Sequence, residues 1–191
     1  MADDQEWLDD DELMALALQE SSAGRHDNAI VKLKQFLSRQ PQDASALYLL
    51  AAEHAEIGMF ERAEQEFRMV IDRAPELFTA YLQLGQIHYL MGRVDDAAAT
   101  WTALDQLGEN DPLFLFKSGL LAAAANRTEE AASFLAKAKE TVPEGGALKK
   151  DIIAALARLA ATVETSQGPA EPTISRKSVL EDRYGSHEIR E

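Results

Sequence analysis

The chain has 191 residues, 46% of them apolar, carries a formal net charge of −14 and contains no cysteine. The charge argues against nucleic acid as a partner, because that binding depends on Lys and Arg neutralising phosphates. The missing thiols remove disulfides and cysteine chemistry. No apolar run approaches the roughly 20 residues of a membrane-crossing helix, so no membrane insertion is expected. Acids stand where a secretory leader would carry bases, and a cytoplasmic protein is expected.

Read from the start, residues 1–9 form an acidic lead-in, and Asp3, Asp4, Glu6 and the run Asp9 to Glu12 hold seven acids without a base. Two readings of this head stand: a patch that steers a basic partner, or a solvated approach to the first helix. Asp9 and Glu12 have the spacing of a capping box, and Leu8 and Leu13 that of a hydrophobic staple, so part of the acid is structural.

From residue 10 the text repeats. Ala29, Ala63, Ala97 and Ala131 recur at steps of thirty-four, as do Gly24, Gly58, Gly92 and Asn126. Pro41, Pro75 and Pro143 keep the same step, with Gly108 closing the third unit instead. A fixed period of this length marks stacked supersecondary units. Each unit predicts two helices. The first ends at a glycine, or at Asn126, where a left-handed backbone is needed. Acids follow at the positive end of the second helix, as in Asp95–Asp96 and Glu129–Glu130. Proline then ends the unit. The small residues Ala17, Ala51, Gly85 and Gly119, with the four alanines above, fall where two helices cross closely, and larger side chains would overpack that contact. Asp111 before Pro112 reads as a cap followed by proline in the first helical turn.

In the third unit Tyr81, Leu84, Gly85 and His88, followed by Ala97 and Trp101, carry the Trp, Leu, Gly, Tyr, then Ala and aromatic pattern of the tetratricopeptide repeat. The chain resembles that family over residues 10–145, in four units starting near 10, 44, 78 and 112. The resemblance implies an all-α, right-handed solenoid of about four helix pairs. It also implies a non-catalytic module that holds another polypeptide, a protein or peptide partner, with no cofactor. In the family the first helices line a concave face. By register that face takes Met14 and Leu18 from the first unit and Tyr48, Ala52 and Ala55 from the second. The third supplies Thr79, Leu82, Gln86 and Tyr89, and the fourth Leu113, Phe116 and Leu120. An apolar stripe at this spacing equally serves inter-helix packing. The Lys, Arg and Asn clamp that grips a C-terminal carboxylate elsewhere in the family is replaced by Met14, Leu18, Tyr48 and Ala52. The groove is therefore more similar to those of bacterial secretion chaperones, which hold an unstructured, partly apolar segment.

After Gly145 and Gly146, the residues Leu148, Ile152, Leu156, Leu159 and Val163 follow helical spacing, with Lys149, Lys150, Asp151 and Arg158 on other faces. Residues 146–165 are expected to cap the last apolar surface, and residues 166–191 to form a flexible tail. Within that tail Ile174, Val179, Leu180 and Tyr184 form either a short docking motif or part of an inert terminus. His54 and His88 lie one repeat apart in an aromatic slot, which favours packing over metal ligation; no metal site is expected. No phosphate loop, dinucleotide fingerprint or nucleophile elbow is present, so catalysis is not expected. A cytosolic adaptor or chaperone is the leading reading. A scaffold that forms homo-oligomers, or docks through its convex face, cap helix or acidic head, is the alternative.

Overall fold

The computed structural model describes residues 8–166; the acidic stretch before Leu8 and, apart from Ser166, the expected tail lie outside it. Among the described residues there are nine α-helices and no strand. They pair as α1 (Asp10–Ser22) with α2 (His26–Arg39), α3 (Ala44–Glu56) with α4 (Phe60–Arg73), α5 (Phe78–Leu90) with α6 (Val94–Trp101), and α7 (Pro112–Ala124) with α8 (Thr128–Thr141). A last helix, α9 (Ala147–Ser166), follows. Each helix packs against its chain neighbours, α9 against α8 and α7, which makes an all-α helical solenoid.

Each hairpin turns by the same device. Gly24, Gly58, Gly92 and Asn126 all have positive φ, between 58° and 77°. One residue on, the N–H of Arg25, Met59, Arg93 and Arg127 reaches back to the carbonyl of Glu20, His54, His88 and Ala122, at 2.8–2.9 Å. That six-to-one bond satisfies a carbonyl the helix end would leave free, and it requires a left-handed residue before it. Asparagine is the non-glycine residue that tolerates this best, which is why Asn126 keeps the motif.

Short side chains cap the starts of α1, α3 and α7. Asp9 accepts from Glu12 N–H while the Glu12 carboxylate accepts from Asp9 N–H, a complete capping box. Leu8 packs into the same block as Leu13. Asp10 accepts hydrogen bonds from Gln40 and Arg39, which hold its carboxyl below the usual range. Asp9, Asp10 and Glu12 thus serve the fold. Asp111 caps α7, with Pro112 in the first turn.

The four alanines of the repeat and Ala51 are fully buried, and Ala17 nearly so. Three blocks of core follow the stack. The first gathers Leu13, Leu33 and Leu50, the second Leu47, Phe67 and Leu84. The third joins Leu82, Trp101, Phe116 and Leu120 to Leu135 and to Ile152 of α9. The long step from α6 to α7 departs from the expected single helix: α6 ends at Trp101 and continues as a 3₁₀ turn over Thr102–Leu107. The buried Lys117 ammonium bonds the Trp101 carbonyl and the Asp105 carboxylate there, taking up a carbonyl of the helix's last turn.

Candidate peptide-binding face

The face predicted from the first helices divides into two halves. In the first half Leu18 is 46% exposed, and Met14, Tyr48, Ala52 and Ala55 are partly buried. Tyr48 stands edge-on to Phe67, with ring centroids 5.6 Å apart, and shares a hydrogen bond with the Thr79 side chain. Burial pushes its hydroxyl above the ordinary value of 10.0. This edge-on packing is the arrangement ring quadrupoles favour.

The second half is not an open groove. Leu82, Phe116 and Leu120 are 2%, 1% and 6% exposed, and they share a core with Ile152 and Ala155 of α9. This corrects the expectation that all three present their side chains to a partner. For Phe116 and Leu120 the cap contributes, because α9 packs against α7 as well as α8 and removes about 25 cal/mol of apolar hydration cost per Å² covered, whereas Leu82 is enclosed with Trp101 and Leu104 of its own unit. Lys149, expected on an outer face, is buried, and its ammonium bonds the carbonyls of Lys139 and Val142 at the end of α8. A cation at a helix C-terminus satisfies orphan carbonyls and complements the dipole.

What α9 leaves is a cavity of about 250 Å³. Its floor is Phe116 and Leu120, its walls Gln83, Gln86 and Tyr89 of α5, and Asp151 with Arg158 of α9 close it. Ala55 and Glu56 at the end of α3, with Phe60 at the start of α4, form its rim. The Tyr89 ring lies 6.3 Å from that of Trp101, tilted by 34°. Asp151 is the centre of the polar wall. Burial raises its carboxyl above the ordinary 3.8, the Gln86 amide donates to it and lowers it, Glu56 raises it again, and Gln83 and Arg158 lower it. The Gln86 Oε1 atom is buried with no hydrogen-bond partner among the described residues.

Sequence reasoning missed Asp151 and Arg158. Their signal is the line Asp151, Ala154, Ala155, Arg158 at helical spacing, where small residues let the helix approach and opposite charges end the line. It also missed the acids that partner the histidines. His54 and His88 are 1% and 4% exposed and pack as expected, but each meets a buried glutamate. His54 Nδ1 lies 2.6 Å from Glu66, and His88 Nε2 lies 3.2 Å from Glu64. Glu53 is shared by His26 and the Ser21 hydroxyl in the same way. The buried acids were hidden because Glu at these positions reads as solvated helix face.

Tetratricopeptide repeat family models match residues 21–84 and 82–146. The chain belongs to the tetratricopeptide repeat family, whose members serve protein–protein interaction. No curated protein matches it in sequence. Among solved structures, it is similar to a thermophilic tetratricopeptide repeat protein of Thermus thermophilus, at 21% identity and a TM-score of 0.66, over 81% of this chain and 83% of that one. MamA of Desulfovibrio magneticus RS-1, from residue 41 onward, gives 18% identity and a TM-score of 0.58, over 83% and 97%. YrrB, described as having an unusual peptide-binding site, gives 20% and 0.54, over 83% and 80%. At these identities the likeness is one of fold. Among the described residues no helix is long and apolar enough to cross a membrane.

Proposed function

We propose that this protein is a cytosolic, non-catalytic adaptor or chaperone that holds an extended segment of a partner protein along its concave face. The segment runs over Met14, Leu18, Tyr48 and Ala52 and ends in the cavity walled by Gln86 and Tyr89. Leu82, Phe116 and Leu120 support that surface from beneath. The observation that carries the reading is the cavity itself: a concave site that combines apolar side chains with convergent polar groups is the usual form of a binding site. The peptide-binding site ascribed to YrrB is in keeping with it.

Capture of the partner from native lysate, followed by affinity measurement with the purified partner, tests the reading. Replacing an aromatic or apolar anchor in the middle of an interface commonly costs more than ~1 kcal/mol, and often ~2. The double variant Leu18→Ala, Tyr89→Ala is expected to weaken binding at least tenfold while its circular dichroism stays near wild type. Val31→Ala, on an exposed position of α2, is expected to bind as wild type. Equal binding by the first variant and loss by the second would move the interface to the outer face.

A further inference from the structure

The cavity beside Asp151 has a neighbour. Tyr89, Leu120 and Arg158 line both, and Leu135 and Leu159 complete the second, of about 170 Å³, beside the turn at Asn126. A cavity of roughly 150 Å³ with apolar walls admits a benzene ring, so the second one holds a single leucine-sized side chain and little more. Arg158 stands exposed at its lip. Asp151 acts on that guanidinium through its field, and among the described residues no hydrogen bond or contact ion pair holds it. An apolar socket beside an unheld guanidinium suits an apolar side chain that is followed by carboxylates.

The chain itself carries that pattern close by. Thr162, which also lines the second cavity, is about one helical turn from Ser166, where α9 ends. Residues 167–191 follow, and Gly168 with Pro169 directly after the helix is a turn signal that sends a chain back on itself. The stretch 167–179 reaches about 40 Å at ~3.3 Å per residue, ample for a seat one turn away. Ile174 is followed by Ser175, Arg176 and Lys177, which would bring cations to Arg158, whereas Leu180 is followed by Glu181 and Asp182. We propose that Leu180, in the chain's own segment after α9, docks in the cavity between α9 and the α7–α8 hairpin, with Glu181 and Asp182 paired to Arg158. A segment on a short link is present at an effective concentration in the millimolar range, so a weak contact suffices. On the reading that a partner segment ends at Tyr89, which lines both cavities, the docked segment is its internal competitor; the docking itself does not depend on that reading.

A chain without cysteine accepts one nitroxide at a chosen position, and that label tests the proposal. With Ser178→Cys spin-labelled on the full chain, the amide signals of Ala123, Asn126 and Leu159 are expected to lose most of their intensity relative to the reduced label. The signal of Leu33 in the first unit should keep its own. Leu180→Ser should restore the three signals. Arg158→Gln, at an exposed position, should restore them in part, as should raised salt, which screens an exposed ion pair. Unchanged signals at α7 and α9, or losses that survive Leu180→Ser, would overturn the inference. Losses in an isotope-labelled, cysteine-free chain mixed with the spin-labelled one would overturn it too, by giving the seat to the segment of a second copy. None of these outcomes touches the partner reading, which fails on its own test if Leu18→Ala, Tyr89→Ala binds as wild type.

Discussion

Gly85 shows how a single residue fixes a crossing. A methyl group there would overlap the Trp101 indole, whose Nε1–H donates to the Leu82 carbonyl at 3.1 Å. At the equivalent Gly119 the added atom would lie 2.7 Å from Leu135 Cδ2 and Cγ, a smaller overlap than the 2.1 Å at Trp101 Nε1. Gly85→Ala is therefore expected to destabilise by about 1–3 kcal/mol or more, as overpacking does, and by more than Gly119→Ala in parallel urea titrations. Glu64 is the other residue with a measurable consequence. The Arg93 guanidinium holds its carboxyl below the ordinary 4.5 against the opposing effect of burial, with His88 and Arg68 assisting. A lowered folded pKa contributes stability that is present above 4.5 and lost as pH falls through the folded value. Glu64→Gln is thus expected to cost about 1–3 kcal/mol at pH 7, discounted toward the lower end because its arginine partners are partly exposed. The gap to wild type should close in unfolding titrations below pH 4.5; a gap constant with pH would remove the electrostatic account.

At the scale of the element, α9 has two tasks on different sides. Ile152, fully buried, closes the core around Leu135 and Phe116, while Asp151 and Arg158 face the cavity. Lys149 fastens its start to the end of α8. Adjacent units in a repeat stack stabilise one another mainly through their shared interface. Ile152→Ala is accordingly expected to cost about 2–5 kcal/mol, concentrated at one end. Hydrogen exchange should report faster opening in α7 to α9 and unchanged protection in α1 to α4. Uniform loss along all helices would instead mean that the stack unfolds as one cooperative body.

For the molecule as a whole, repetition supplies length and α9 breaks it. Arginine at equivalent positions of the first two units ties the end of each unit back to the segment before it: Arg39 donates to the Leu8 carbonyl at 2.8 Å and Arg73 to the Pro41 carbonyl at 3.0 Å. The third unit has Leu107 at that position and, with its 3₁₀ turn, joins the fourth through Lys117 instead. Among the described residues, α9 covers part of the face formed by α5 and α7 while Leu18 of the first unit stays exposed. A net charge of −14 favours encounter with a basic partner at low salt.

The amino-acid sequence alone determined the helix pairs, the turn residues and the crossings. These depend on local backbone conformation and on small side chains at a fixed period, and both are visible in one dimension, as Asn126 and Ala97 show. Of the residues read by register as groove-lining, Gln86 and Tyr89 meet in one cavity. Tertiary structure decided which part of that face is free. Whether Phe116 and Leu120 meet a partner or a cap depends on how α9 turns after Gly146, and no periodicity within α9 encodes that turn. The buried glutamates follow the same logic. Glu64 and Glu66 read as solvated positions of α4, and only the neighbouring helix brings His88 and the same unit's His54 within hydrogen-bonding distance to make their burial tolerable.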